Sequence, residues 1–219
     1  MKPATERKPA KAARAVIAFA ILALFCAPIF AAPSLQDVAA ALSKNKVARG
    51  NFVLERTAAN GKALKSSGAF AIAADYGIIW KTEKPIKSVQ AVAKDFVVTE
   101  SAAGKRVKVD GSQNKVFQQT ALLTSALWTG DVAAVQAAAD INFKSDENSW
   151  TLELLPKDAA VQMALEKIIV AGIWRGAKGG QAAATLMEMR LKSGNSARYI
   201  MSGHSYDSAP SPDELSYFE

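Results

Sequence analysis

The segment Gly203-His204-Ser205-Tyr206-Asp207 is the part of the sequence that comes nearest to a catalytic motif. A serine hydrolase presents its nucleophile in a Gly-x-Ser-x-Gly turn and needs a histidine to take the proton from the serine hydroxyl. Here Asp207 replaces the second glycine, and His204 is the only histidine in the chain. Because no other histidine can serve as the base, the sequence argues against a hydrolase.

The sequence also lacks the residues that a metal site or a cofactor site needs. Cys26 is the only cysteine, so the rest of the chain can form no disulfide and offers no thiolate. The sequence has no ligand spacing typical of zinc and no dinucleotide fingerprint, and the glycines between residues 176 and 180 lack the Gly-Lys-Ser/Thr ending of a phosphate loop. Nothing in the pattern places two carboxylates on one inward face. We therefore predict a binding protein with no catalytic residue, metal or cofactor.

The first 31 residues have the layout of a secretory signal peptide. Basic residues are followed by an apolar run from Ala15 to Ala27 and then by small residues around Ala31. A run of 13 apolar residues is shorter than the roughly 20 that a membrane-spanning helix needs. We predict cleavage near Ala31 and export to the periplasm; the alternative is an uncleaved N-terminal anchor. Cys26 follows Leu24-Phe25 rather than small residues, which argues against lipid attachment.

Most of the net positive charge belongs to this leader. The chain has 27 basic and 20 acidic residues, and the leader holds five of the basic residues and one of the acidic residues, which leaves a net charge of +3 on the remainder. That mild balance argues against nucleic acid as a partner. Lys105 to Val109 alternates basic residues with valine, which we interpret as a solvated strand face; the alternative is a stripe for nucleic acid or phospholipid.

Three strands are predicted between Arg49 and Pro85. Asn60-Gly61 tolerates the positive φ angles of a tight hairpin turn and separates two runs of alternating apolar residues, and a third run ends at Trp80. Gly50 and Gly68 lie inside strands, where glycine often marks a bulge that lets a sheet curl. Alternate residues of the three strands then share one apolar face: Phe52, Leu54, Phe70, Ile72, Ile78 and Trp80.

Helices are predicted on both sides of these strands. Ser34 caps a short helix that ends at Lys44, with Asp37 in the position of a capping box. A helical pair over residues 120–140 is joined at Gly130-Asp131, where glycine ends one helix and aspartate caps the next. The sequence leaves open whether this pair is a fixed part of the core or a movable lid. Its large apolar side chains must lie against the sheet: Leu122, Leu123, Leu127 and Trp128.

Strand patterns resume near residue 141 and end with two facing strands around the turn Gly194-Asn195. Met187, Met189 and Leu191 alternate with charged residues on the first, and Tyr199 and Met201 oppose them on the second. Methionine adapts to irregular apolar surfaces, so three methionines on facing strands favour a surface for variable hydrocarbon. We assign the ligand-binding surface to this set of apolar residues: Phe52, Leu54, Phe70, Ile72, Ile78, Trp80, Leu123, Leu127, Trp128, Met187, Met189, Tyr199 and Met201.

The motifs resemble the LolA-like family of outer-membrane lipoprotein carriers, in its divergent branch. The likeness rests on Arg49-Gly50-x-Phe52, the run from Leu64 to Phe70, Gly77-Ile78-x-Trp80 with Pro85, and the strand from Trp150 to Pro156. The resemblance implies an α+β, mainly β fold, in which an unclosed antiparallel β half-barrel is covered by short helices. We assign this single domain to residues 32–204 and a surface tail to residues 205–219, and we expect a monomer.

The resemblance also implies a function. Members of the family carry the acyl part of lipid-modified proteins across the periplasm toward the outer membrane. It therefore implies an acylated protein or lipid-like cargo, an inner-membrane exporter and an outer-membrane acceptor.

Two positions depart from the pattern of that family. Ala74 stands where better-characterised members have an arginine tied to lid closure, and Leu54 stands where a glutamine is usual. Neither the gating mechanism nor the identity of the cargo is therefore carried over. The alternatives are a periplasmic structural or interaction module and a carrier for a non-lipoprotein acylated or polyene product.

Overall fold

A computed structural model describes residues 32–176 and 180–219, and the predicted signal peptide lies outside these residues. Eleven described strands form one sheet: β1 Val47–Thr57, β2 Ala63–Ala73, β3 Gly77–Lys84, β4 Ser88–Ala93, β5 Phe96–Ser101, β6 Arg106–Asp110, β7 Ala139–Ser145, β8 Ser149–Pro156, β9 Leu165–Arg175, β10 Gln181–Leu191 and β11 Ser196–Asp207. Their order is β6-β5-β4-β3-β2-β1-β11-β10-β9-β8-β7, and neighbours are antiparallel. The end strands β6 and β7 do not pair with each other, so the predicted unclosed, mainly β architecture is confirmed.

Five described helices accompany the sheet: α1 Leu35–Ser43, α2 Lys115–Thr129, α3 Val132–Ala138, α4 Ala159–Gln162 and α5 Pro212–Leu215. One face of β1–β3 and β8–β11 is apolar, and we call it the inner face. Side chains of α1, α2 and α3 belong to the same apolar cluster as this face. Within the described part of the chain, no helix combines the length and the apolar character needed to cross a membrane.

The predicted helix ends are largely confirmed. Ser34 and Asp37 form the capping box of α1, Gly130 ends α2 with a φ of 76°, and Asp131 caps α3. The predicted start of α2 at residue 120 was five residues late, because the side chain of Asn114 caps the helix by accepting from the backbone of Phe117 at 3.0 Å. The predicted end of α3 at residue 140 was also late, because the helix ends at Ala138 and Ala139 already pairs with Pro156 in β7.

The first hairpin is confirmed, but its turn is longer than a two-residue loop. Thr57 pairs with Ala63, so five residues lie between the strands. Of the predicted turn pair, only Gly61 has a positive φ, at 82°, whereas Asn60 keeps a negative φ. Its Oδ1 instead accepts a 3.1 Å hydrogen bond from the backbone of Lys62. The Asn-Gly signal therefore marked the turn correctly and its type wrongly.

The interior glycines mark irregularities in the sheet, as predicted. The register between β1 and β11 shifts at Gly50, and the register between β2 and β3 shifts at Gly68. A Cβ on Gly68 would lie 2.0 Å from the carbonyl oxygen of Lys81. Only glycine lets the two strands approach this closely.

The C-terminal tail packs on the outer face of the sheet. Tyr217 joins a second apolar cluster with small and branched residues of β2 to β5. The guanidinium of Arg106 lies 4.2 Å from the centre of the Tyr217 ring, and the ammonium of Lys108 lies 3.9 Å from that of Phe96. The tail lies along the sheet surface, and β11 continues to Asp207 before the tail begins.

Strand β6 is exposed on both sides. The alternation of charge with valine predicted that one side would be buried, but Val107 and Val109 are 48% and 56% exposed. The strand lies at the end of the sheet and pairs only with β5. Its charged side chains fit an edge strand that is protected against pairing with another chain.

Candidate ligand-binding site

The structure brings the thirteen predicted site residues together in one apolar cluster: Leu123, Leu127 and Trp128 lie on α2, and the other ten lie on the inner face. Strand register aligns them in rows, with Leu54 opposite Tyr199 and Tyr199 opposite Met187. The next row joins Phe52 to Met201. Twelve of the thirteen are no more than 6% exposed, and Met189 is half-buried at the margin of the same cluster. The alternation in sequence therefore located a continuous apolar face.

An aromatic group occupies the centre of the inner face. The rings of Trp80 and Tyr199 stack with their centres 4.1 Å apart, and Phe52 meets Trp80 edge-on at 5.1 Å. Burial raises the pKa of the Tyr199 phenol, and the neighbouring Arg56 guanidinium opposes that rise. Aromatic pairs of this kind contribute about 0.5–1.5 kcal/mol beyond their buried area. Packed aromatic side chains therefore fill the centre of the inner face.

The helices fill the end of the inner face where β1 begins. Leu123, Leu127 and Trp128 of α2 are no more than 4% exposed. The void that remains beside Trp128, Ala48 and Ile72 has a volume of only about 10 Å³. The face is therefore closely packed around these three residues.

The opposite end of the inner face opens into a pocket of about 590 Å³, which we call the mouth pocket. Its apolar wall consists of Ala58, Leu64, Met189, Leu191 and Ala197. Register places Leu64, Arg56 and Ala197 in one row across β2, β1 and β11, directly beside the row that holds Leu54 and Tyr199. The mouth pocket thus continues the apolar face beyond its packed centre. Its volume falls in the range of about 300–1,000 Å³ that is typical of small-molecule sites.

Of the thirteen predicted residues, only Met189 lines the mouth pocket. Sequence reasoning missed Arg56 and Leu64 and did not include Leu191 in the site. Arg56 continues the alternation of Phe52 and Leu54 by two residues, so the signal was present. Arg56 does not extend the apolar pattern, however, because it is charged and the strand signal is an alternation of apolar side chains.

A second cavity, of about 290 Å³, lies where α2 meets the turn between β2 and β3. Ala74 and Ile78 line it from the sheet, and Leu122 and Ser125 line it from the helix. Ala74 therefore borders a gap beside the covering helix. It is buried, and its backbone N–H donates to the carbonyl of Lys46 at 3.0 Å.

The His204 segment does not assemble a catalytic triad. The half-buried imidazole donates from Nε2 to the carbonyl of Ala184 at 2.8 Å, and its ring packs edge-on against Phe70. Burial lowers the pKa of His204. Asp207 pairs with Arg49 on the outer face rather than with the imidazole. In residues 32–176 and 180–219, no group of three or more His, Cys, Asp or Glu side chains could hold a metal ion.

Neither a family model nor a curated protein matches the chain. Among solved structures it is similar to a LolA superfamily protein from Nitrosomonas europaea, at 14% identity over 84% of this chain and 95% of that one, with a TM-score of 0.43. It is also similar to a domain named for outer-membrane lipoprotein sorting from Vibrio parahaemolyticus, at 11% identity over 83% and 94%, with a TM-score of 0.46. A DUF1329 family protein from Desulfovibrio piger shares 14% identity over 84% and 95%, with a TM-score of 0.45.

Proposed function

We propose that this protein is a carrier without catalytic activity, which holds the hydrocarbon part of a lipid-modified protein or related amphiphile on its inner face. One observation carries the proposal: the apolar face that is packed under the helices borders an open pocket of about 590 Å³, and Met189 and Ala197 belong both to the margin of the apolar cluster and to the pocket wall. The sequence motifs described above, which resemble lipoprotein carriers, also support it. The predicted leader supports a periplasmic location, with an inner-membrane exporter and an outer-membrane acceptor as partners.

The energetics of such a site suit uptake. Burial of an acyl chain contributes about 0.8 kcal/mol per methylene group, so even part of a chain in the mouth pocket is held against water. The walls offer a flexible methionine and aliphatic side chains, which adapt to chains of different shape. Release is favoured because Leu64 is 75% exposed, which leaves the outer part of the pocket open to an acceptor.

A longer chain requires the packed centre to rearrange. Beyond the mouth pocket the chain meets the stacked rings of Trp80 and Tyr199, and the face behind them is filled by α2. The cavity beside Ala74 and Leu122 provides space next to α2. We infer that α2 and α3 move as a lid when a full acyl chain enters.

The binding test uses two exposed aliphatic residues as a matched pair. Leu64 and Ile86 are 75% and 72% exposed, but only Leu64 lines the mouth pocket. Leu64→Glu should weaken binding of a fluorescent acyl probe at least about tenfold, because it places a carboxylate against the hydrocarbon. Ile86→Glu should leave binding unchanged. Probe binding that is absent from the wild-type protein, or equal in both variants, would refute the proposal.

Cargo is tested directly on protein purified from the periplasm. Native mass spectrometry and lipid extraction should detect a co-purifying amphiphile in the wild-type protein. The amount should fall in Leu64→Glu and persist in Ile86→Glu. A wild-type protein that carries no amphiphile would count against the carrier function.

A second function, a structural or interaction module with a closed core, is supported by the tight burial of Met187 and Met201, each 3% exposed. In such a module the inner face serves only stability. An acyl probe would then bind neither the wild-type protein nor its variants, which is the result that separates the two functions.

A further inference from the structure

The mouth pocket combines an apolar wall with cationic side chains at its rim. Arg56 and Lys62 line it, and none of the described residues that line it is acidic. The remaining polar lining consists of neutral groups, such as those of Thr57, Asn60 and Asn195. The pocket is therefore apolar on its wall and positively charged at its rim.

The nearest carboxylates along the strands are engaged elsewhere. Glu55, next to Arg56 in sequence, forms an ion pair of 2.6 Å with Lys65 on the other side of the sheet. Glu188, next to Met189, pairs with Arg190 at 2.6 Å. In the described part of the chain, neither Arg56 nor Lys62 has a carboxylate oxygen within 4.0 Å of its side-chain nitrogens.

The two turns that carry the rim are tied to each other. The Oδ1 of Asn195 accepts a hydrogen bond of 2.9 Å from the backbone of Ala59, which joins the β10–β11 turn to the β1–β2 loop. The Asn60 side chain accepts from the backbone of Lys62 within that loop. The loop that carries Lys62 is therefore held in place next to β1, the strand that carries Arg56.

We propose that the mouth pocket binds a single-chain amphiphile whose head group is anionic. The hydrocarbon lies against Leu64, Met189 and Leu191, and the head group contacts Arg56 and Lys62. A neutral head group would offer neither cation an opposite charge, and a cationic one would be repelled, so charge complementarity selects the anion. This inference rests on the proposed function, since it names the class of molecule that the same site accepts.

Isothermal titration calorimetry with three probes tests the inference. Dodecyl phosphate and dodecyl maltoside share one chain and differ in head-group charge, and inorganic phosphate has the charge without the chain; the amphiphiles are used below their critical micelle concentrations. Dodecyl phosphate should bind at least about tenfold more tightly than each of the other two. Dodecyl maltoside lacks the contact between the anion and the cations, and inorganic phosphate lacks the contact between the chain and the apolar wall; we expect each loss to raise the dissociation constant by about tenfold or more.

Two double variants with the same change in net charge complete the design. Arg56→Gln with Lys62→Gln should weaken binding of dodecyl phosphate about tenfold and leave dodecyl maltoside unchanged. Lys84→Gln with Lys87→Gln, in a separate cleft of about 690 Å³, should leave both unchanged. An equal loss in both double variants would show a general effect of charge and overturn the inference.

The outcomes separate this inference from the proposed function. Equal and tight binding of the two amphiphiles would overturn the anionic preference and leave the carrier function standing. Inorganic phosphate that binds as tightly as dodecyl phosphate would overturn the preference for an amphiphile. The absence of binding by both amphiphiles would overturn the inference and the carrier function together.

Discussion

The carboxylate of Glu214 accepts two hydrogen bonds of 2.6 Å from the guanidinium of Arg49, one at each oxygen. The two residues lie 165 positions apart, on α5 and β1. The Glu214 side chain is only 8% exposed and also accepts from the backbone of Ser211 at 2.7 Å. Arg49 is opposite Ala71, a member of the outer apolar cluster. This bidentate ion pair therefore binds the C-terminal tail to the outer face, on the side of the sheet away from the mouth pocket.

Glu214→Gln should lower the free energy of unfolding by about 2 kcal/mol, because hydrogen bonds to charged groups contribute about 1.5–3 kcal/mol. The substitution removes the buried one of the two carboxylates that pair with Arg49 and leaves the exposed Asp207. Asp213→Asn is the matched control, since it removes the neighbouring, exposed carboxylate of the same helix. Urea denaturation of the two variants measures the difference. Equal losses would show that the pair with Arg49 has no special part in stability.

The same pair makes part of the stability depend on pH. The hydrogen bonds from Arg49 lower the pKa of Glu214 below its ordinary value of 4.5. A lowered pKa in the folded state means that this stabilisation is complete above 4.5 and is lost as the pH falls through the folded-state pKa. The difference in unfolding free energy between wild type and Glu214→Gln should therefore be constant near neutrality and shrink under acid conditions. A difference that grew on acidification would contradict this assignment.

The sequence predicted the inner face well because its residues follow a strict period of two. Phe52, Leu54 and Phe70 fall on one parity, and a strand that is buried on one face keeps that parity along its length. The mouth pocket could not be predicted in the same way. Which end of the face stays uncovered depends on where α1 to α3 pack, and that follows from contacts between distant segments. Met189 was predicted to lie on the apolar face, but the sequence did not predict that it lies at the margin of the apolar cluster and lines the mouth pocket.

The docking of the tail was also beyond the sequence pattern. Ala71 and Ala91 lie in the outer cluster, and alanine does not distinguish a buried outer face from a solvated one. Tyr217 lies far from both in sequence, and the strand motif that contains Arg49 does not indicate a partner in the tail. A tail of two prolines and several acids was consistent with a surface wrap, yet its partner on the sheet emerged only from the fold.

His204 predicts a second, separate dependence on pH. Burial lowers its pKa below 6.5, so its neutral form is favoured in the folded protein. The associated stabilisation is complete above 6.5 and is lost as the pH falls through the lowered folded-state pKa. Thermal denaturation at about pH 7.5 and about pH 5 should show a larger decrease in Tm for wild type than for His204→Gln, which cannot titrate there. An equal decrease would show that the imidazole does not titrate with folding.

Removal of Trp128 from α2 separates a movable cover from a fixed core. Trp128→Ala should lower the free energy of unfolding by about 3–5 kcal/mol, as expected for a large buried side chain. Because Trp128 and a bound chain compete for the inner face, the variant should also bind an acyl probe more tightly than wild type. Ile79→Ala, which removes a fully buried side chain from the outer apolar cluster, is the control for destabilisation alone. If both variants lose stability and neither gains affinity, the helices belong to a fixed core, because opening space under them then gives the probe no advantage.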